Sequence, residues 1–272
     1  MDLGLKDKIV VVTGGSRGIG YATAQEFLKE GARVIITGRD SKRLEDAQKE
    51  LQQYGEVRAI AGDGTSEEEV KRIAKEAASD TGGIDVWINN VGKNVAKADE
   101  FYSEPELDQI ISAVFKSAVF GCQAAIPYMK EKGGSIVNIA SLAARNATCG
   151  KSNIYAAMKA GLVALSKTLA GEYAAYHIRV NTILPGYTQT PLIAQSFTEE
   201  MLKKLLKNNL LQRMALPEEV AKPIVFLASD AASYITATSL EVTGGHNQVL
   251  NPEYSYEKKA LESISLYFPE LF

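Results

Sequence analysis

Lys8-Ile9-Val10-Val11-Val12-Thr13-Gly14-Gly15-Ser16-Arg17-Gly18-Ile19-Gly20 is the stretch that decides the fold. It opens as an apolar, β-branched run without alternation, the pattern of a strand buried on both faces. Glycines then interrupt it, and an amphipathic pattern over Ile19–Glu30 predicts a helix. A strand that ends in a glycine-rich turn and opens a helix presents free backbone N–H groups at the helix N-terminus, where a pyrophosphate can rest. Context separates this from a stray glycine cluster. Gly14, Ser16, Arg17, Gly18, Ile19 and Gly20 are therefore candidate nucleotide-binding residues.

The same alternation continues along the chain. Candidate strands follow at Arg33–Thr37, Val57–Ala61, Asp85–Ile88, Ser135–Ile139, Arg179–Ile183 and Ser239–Val242. Between them lie helical patterns near Lys42–Gln53, Glu67–Ser79, Glu106–Lys130, Tyr155–Tyr176 and Glu218–Leu227. Strand and helix in regular alternation imply right-handed crossovers and one parallel sheet covered on both sides, an α/β fold. Residues 1–250 read as a single domain with no linker or internal repeat, and residues 251–272 as an extension packed on its own or a neighbouring subunit. The stretch Pro191–Met214 reads as helical, with Leu192, Ile193, Phe197, Met201 and Leu205 at near-helical spacing. It is expected to lie over the carboxyl edge of the sheet.

Composition narrows the function. The chain of 272 residues is 46% hydrophobic and 23% charged, enough for a sizeable core. A net charge of -3 gives no reason to expect nucleic acid as a partner. Cys122 and Cys149 fall in no metal-ligand spacing, so neither a disulfide framework nor a metal is expected. The apolar run near the N-terminus is too short for a signal segment or a membrane span, which makes the cytoplasm the expected location.

The end of the second candidate strand bears on cofactor choice. An acidic side chain there binds a ribose 2′-hydroxyl, whereas arginine accommodates a 2′-phosphate. The chain has Gly38-Arg39-Asp40 at that point. Gly38 leaves room where a carboxylate would repel phosphate, Arg39 can fork onto phosphate oxygens, and Arg17 adds a second cation. Asp40 opposes this, unless it caps the next helix. The balance predicts NADP(H) over NAD(H).

Ser141 follows the fifth candidate strand, and Tyr155-Ala-Ala-Met-Lys159 opens a long helix after it. Tyr155 and Lys159 lie one helical turn apart on one face. A tyrosine titrates near pH ~10, and an adjacent ammonium is expected to lower that value by roughly 1–3 units, toward the range of an efficient general acid or base. Ser141 can donate to an oxygen on which negative charge develops.

Thr13–Gly20, Asn89-Asn90-Val91-Gly92, Ser141, Tyr155 with Lys159, and Pro185-Gly186 together resemble the short-chain dehydrogenase/reductase family, from about Lys6 to Gly245. The resemblance implies a Rossmann-like, doubly wound sheet of about seven strands and hydride exchange between a secondary alcohol and a ketone. It implies that Tyr155 exchanges the proton, Ser141 orients the substrate oxygen, and Lys159 also holds the nicotinamide ribose. It further assigns Asn90 to bracing the central strand and the ribose, Asp63 to adenine and Thr190 to the carboxamide, and counts Gly92, Pro185, Gly186 and Thr188 among the cofactor-binding residues. Family members are commonly tetramers, which makes a homotetramer or homodimer the expected assembly.

Three departures stand out. The family's helical asparagine, which holds a relay water, is replaced by Val114 within Ser112-Ala-Val-Phe-Lys-Ser117; a valine is expected neither to hold that water nor to bend the helix by polar bonding. Val91 stands where alanine is usual. The interval from Ser141 to Tyr155 is one residue longer than is commonest, reshaping the loop Arg145–Ser152. Substrate-pocket candidates are Lys93, Asn94, Arg145 and Tyr187, with Asn146 and Cys149 nearby. A small or medium carbonyl compound is the expected substrate. Two alternatives are reduction of 3-oxoacyl groups on a carrier protein, with Lys130 and Lys132 as docking residues, and an NADP(H)-binding protein of weakened catalysis.

Overall fold

The computed structural model describes residues 2–79, 82–93, 100–146 and 153–267. Seven strands form one sheet: β1 (Ile9–Val12), β2 (Arg33–Gly38), β3 (Val57–Ala61), β4 (Val86–Asn89), β5 (Gly134–Ile139), β6 (Ile178–Pro185) and β7 (Ser239–Val242). Their order is β3-β2-β1-β4-β5-β6-β7, and every neighbouring pair is parallel. The helices are α1 (Gly18–Lys29), α2 (Ser41–Leu51), α3 (Glu67–Ala78), α4 (Glu104–Ile111), α5 (Ser117–Met129), α6 (Asn153–Glu172), α7 (Pro191–Ser196), α8 (Glu199–Leu206), α9 (Pro217–Ala228) and α10 (Tyr254–Tyr267).

The uniform apolarity of β1 has its reason in the layers. Val10 and Val12 point into one core with Phe27 and Leu28 of α1, Leu44 of α2 and Ile224 of α9. Ile9 and Val11 point into the opposite core with Val70 and Ile73 of α3, Ala125 and Met129 of α5 and Ala170 of α6. Successive side chains of a strand face opposite sides, so covering both sides requires an apolar residue at every position. Each such side chain contributes about 1.5–3 kcal/mol of burial.

Two helical expectations are corrected. The pattern at Glu106–Lys130 is not one regular helix: a widened π turn at Ser112–Lys116 separates α4 from α5. Val114 sits within that turn, fully buried, so the helix is distorted at a residue that has no polar side chain to bend it. A π turn places an extra residue in the hydrogen-bond ladder without needing a polar side chain. The run Glu104–Met129 is long and apolar enough to cross a membrane by length and composition, but half of its most apolar window is buried inside this fold.

The stretch Pro191–Met214 is likewise broken, into α7 and α8, because Phe197 adopts an extended backbone (φ -138°, ψ 138°). Thr198 then caps α8 by accepting from the Met201 N–H at 3.3 Å. The near-helical spacing of its apolar residues therefore does not form one face. The extension makes contacts within its own chain: the Tyr256 hydroxyl donates to the Leu210 carbonyl at 2.8 Å, and Glu253 pairs with Lys207 at 3.3 Å.

Candidate functional site

Strand order reverses between β1 and β4, and a parallel sheet offers its ligand crevice at the carboxyl ends on either side of such a reversal. The predicted residues gather there. After β1, Gly14 and Gly18 take positive φ (64° and 57°), conformations that suit glycine. A Cβ on Gly20 would collide with the Gly14 carbonyl oxygen and the Asn90 amide, and one on Gly15 would lie 2.8 Å from Ile36. Side chains at Gly15 and Gly20 would strike the surrounding chain, so the glycines permit a close-packed turn into the N-terminus of α1, the arrangement whose backbone N–H groups can receive a pyrophosphate.

Asn90 braces this turn from the end of β4. Its side-chain Nδ2 donates to the carbonyls of Thr13 (3.1 Å) and Gly14 (3.0 Å), and its backbone N–H donates to the Thr13 hydroxyl at 3.0 Å. Thr190 reaches the loop from the other side: a Cβ on Gly18 would sit 3.4 Å from its methyl group. Its hydroxyl accepts from the Ile193 N–H at 3.4 Å, capping α7. Thr188 is buried and donates to the Gly186 carbonyl at 3.2 Å. Gly186 packs so tightly on Thr243 that a Cβ would lie 2.9 Å from its Cα. Asp63 accepts from the backbone N–H (2.9 Å) and hydroxyl (2.8 Å) of Thr65.

At the end of β2, a Cβ on Gly38 would stand 3.6 Å from the Ser16 hydroxyl, so this glycine borders the loop directly. Asp40 caps α2, accepting from the Arg43 N–H at 3.0 Å, and pairs with the Arg43 guanidinium at 3.1 Å. Its carboxylate is engaged along the helix. Arg39 and Arg17 are exposed, and among the described residues neither forms an ion pair.

Ser141, Tyr155 and Lys159, the expected reacting groups, converge. Ser141, two residues beyond β5, hydrogen-bonds with the Tyr155 phenol, an interaction that lowers the phenol pKa. Lys159 Nζ lies 5.7 Å from the Tyr155 ring centroid and 3.4 Å from where a Cβ on Gly92 would be. It donates to the Ile139 carbonyl at 2.6 Å. The electrostatics depart from expectation. Burial raises the Tyr155 pKa above its usual value of 10.0, with Ser141 as the opposing influence. Burial also drops Lys159 from 10.5 to about 8, because a desolvated ammonium sheds its proton more easily. Lys159 is in place beside the phenol, yet the pair by itself does not make the tyrosine acidic.

The pocket residues divide. Arg145 pairs with Glu241 of β7 at 3.8 Å, which occupies its charge. Lys93 is exposed. Tyr187 packs edge-on against Phe197 (5.9 Å) and His246 (5.3 Å), and the Phe197 contact joins the segment beyond α7 to the end of β6. Asn94, Cys149 and most of the loop Arg145–Ser152 lie outside the described residues. Lys130 and Lys132 precede β5 at the amino edge of the sheet, opposite to Ser141 within one chain, and Lys130 Nζ sits 5.0 Å from the Tyr176 ring centroid. Among the described residues no group of three His, Cys, Asp or Glu side chains is arranged to hold a metal.

Sequence reasoning passed over His246, Asn138 and Ser166 and took Asn89 only as part of a motif. Asn89, Asn138 and Ser166 are buried and linked by hydrogen bonds beneath the site. Their signal was present: an asparagine inside Ile136-Val137-Asn138-Ile139 contradicts an otherwise apolar strand.

Comparison with known proteins agrees with this geometry. Residues 14–247 match the family model described as enoyl-(acyl carrier protein) reductase. The chain is 37% identical over 247 residues to a 3-oxoacyl-[acyl-carrier-protein] reductase of Chlamydia pneumoniae, covering 90% of this chain and 99% of that protein. It is 34% identical over 249 residues to a 3alpha-hydroxysteroid dehydrogenase of Mediterraneibacter gnavus, covering 88% and 97%. The L-sorbose reductase of Gluconobacter frateurii, solved with NADPH and L-sorbose, superposes with a TM-score of 0.84 at 31% identity over 92% of this chain and all of that one. The seven-stranded parallel sheet, the glycine loop and these likenesses place the chain in the short-chain dehydrogenase/reductase family, as an oxidoreductase acting on CH–OH groups with NAD(P).

Proposed function

We propose that the protein is an NADP(H)-dependent enzyme interconverting a secondary alcohol and a ketone, with Tyr155 as general acid and base, Lys159 supporting it and Ser141 orienting the substrate oxygen. The observation that carries this reading is the meeting of Ser141, Tyr155 and Lys159 beside Gly92, at the carboxyl edge that also holds the glycine cradle. Gly14–Gly20, Asn90, Gly92, Pro185, Gly186 and Thr190 would hold the dinucleotide. Gly38, Arg39 and Arg17 would take a 2′-phosphate, and the preference for NADP(H) rests on them together with the engagement of Asp40 by Arg43. When bound, the nicotinamide supplies or accepts the hydride.

In the reductive direction the Tyr155 hydroxyl gives its proton to the carbonyl oxygen, and Ser141 donates a hydrogen bond to the same oxygen. The phenol is protonated at neutral pH, and burial, by raising its pKa, makes its proton harder to give up, which leaves the stabilisation of the phenolate to Ser141, Lys159 and the bound cofactor. The Lys159 ammonium stabilises the phenolate left behind. A panel of ketones and alcohols, followed by NADPH absorbance, tests the reading. No turnover with any member would leave a cofactor-binding protein instead.

A second reading, reduction of a 3-oxoacyl group on a carrier protein, is favoured by the 37% identity to such a reductase. Reduction of acetoacetyl-carrier protein at least tenfold more efficient than that of the free keto ester would select it. The cytoplasm, and a homotetramer or homodimer packing α4, α5 and α6 across an interface, complete the proposal; light scattering measures the assembly.

A further inference from the structure

We propose that Asn138 and Ser166 position the catalytic helix, acting as a buried clamp that sets the register of α6 on β5 and hence the approach of Tyr155 and Lys159 to Ser141. The inference rests on the roles given above to those three residues. Asn138 Nδ2 donates to the Ser166 hydroxyl at 2.8 Å, and that hydroxyl donates onward to the Leu162 carbonyl at 2.7 Å. On its other side, Asn138 Oδ1 accepts from Asn89 Nδ2 at 2.8 Å, while Asn89 Oδ1 accepts from the Trp87 indole at 2.7 Å. Asn89 Nδ2 also donates to the Ala118 carbonyl of α5 at 3.3 Å. Trp87, Asn89, Asn138 and Ser166 are at most 3% exposed.

The chain of bonds ties β4, β5, α5 and α6 together at one depth. Each oxygen accepts and each amide nitrogen donates, so no polar atom of the network is left without a partner, and a satisfied buried network favours one geometry over several. An apolar interface would tolerate a slide of α6 by a fraction of a turn. This one would orphan the Asn138 amide, at a cost of about 1–3 kcal/mol.

The clamp is tied to catalysis by its place in both elements. Ser166 lies seven residues after Lys159 in the α6 sequence, two helical turns along the same face. Asn138 immediately precedes Ile139, whose carbonyl receives Lys159 Nζ, and Ser141 follows two residues later. The helix is therefore pinned to β5 at two levels, and the upper pin is a reacting residue. Gly121 of α5 makes room for it: a Cβ there would overlap Asn89 Oδ1 and come within 2.7 Å of the Trp87 indole nitrogen.

The test compares S166T with S166V, which share a shape and differ in one hydroxyl. S166T is expected to stay within about twofold of the parent in kcat. S166V is expected to lose about tenfold in kcat while its KM for NADPH changes by less than about threefold. A second readout needs no substrate: the phenolate absorbance step of Tyr155, taken as the difference from Y155F. The groups identified facing that phenol are Ser141 from the β5 end and Lys159 from α6. Because the Ser141 bond lowers the phenol pKa, a loosened register moves the step upward in S166V and not in S166T. Equal kcat and equal titrations in the two variants would overturn the proposal, whatever their melting temperatures. Should S166V fail to fold, S166A takes its place under the same criteria. Should the parent reduce no carbonyl, the proposed activity falls, and the titration alone still decides the clamp.

Discussion

Lys159 Nζ donates to the Ile139 carbonyl at 2.6 Å, from a position 3% exposed to solvent. The bond holds a cation where folding disfavours it. Burial moves its pKa down to about 8, so the protonated form is less stable in the folded chain than in the unfolded one. A group held this way lowers stability in return for a charge beside Tyr155, a trade found at reaction centres.

That trade has a measurable sign. Below pH 8 both states carry the proton and the penalty is present in full; above it the folded state releases the proton while the unfolded state retains it up to 10.5, so the penalty fades as pH rises. Lys159→Met is therefore expected to stabilise the protein at pH ~7 by about 2–3 kcal/mol, with a smaller gain at pH ~9.5. Urea midpoints at the two pH values check this. A variant less stable than the parent at the lower pH would mean that the bond to Ile139 outweighs desolvation.

Tyr155→Phe removes the transferable proton and leaves the ring. Turnover is expected to fall by about 100-fold or more, with NADPH affinity within about threefold of the parent. Fluorescence titration of NADPH alongside steady-state rates separates the two quantities.

Gly38→Asp introduces a carboxylate on a Cβ that would stand 3.6 Å from the Ser16 hydroxyl, on the side where a 2′-phosphate is expected to lie. Its KM for NADPH should rise by about tenfold or more, and use of NADH should improve. If the parent already uses NADH as well as NADPH, the assignment of Gly38, Arg39 and Arg17 is wrong.

Gly121→Ala places a methyl group on top of the Asn89 amide oxygen. Steric overlap together with a disrupted buried bond is expected to destabilise by about 2–4 kcal/mol. Thermal melting should show it, and a midpoint within a degree of the parent would mean that α5 can move away without penalty.

Much of this was legible in the chain itself. The apolar run Ile9–Val12 and the glycines after it specify a doubly covered strand and a tight turn into a helix, because both depend on neighbours in sequence. The cap at Asp40 was equally readable, since an N-cap is a contact between residues three apart. The π turn at Ser112–Lys116 was not: its apolar residues suit an ordinary helix, and only packing against the rest of the fold distinguishes the two. Nor was the ion pair of Arg145 with Glu241, whose partners are far apart in the chain.

The sequence by itself determined the order of strands and helices and the glycine turn after the first strand, since local spacing encodes them, and its motifs singled out the side chains proposed to react. Only the tertiary structure decided how those groups titrate. The direction of the Tyr155 and Lys159 pKa shifts follows from how much water the surrounding helices exclude. The tie from Asn138 to Ser166 likewise exists only once α6 lies on β5. Desolvation and long-range contacts are properties of the assembled layers, and no window of residues contains them.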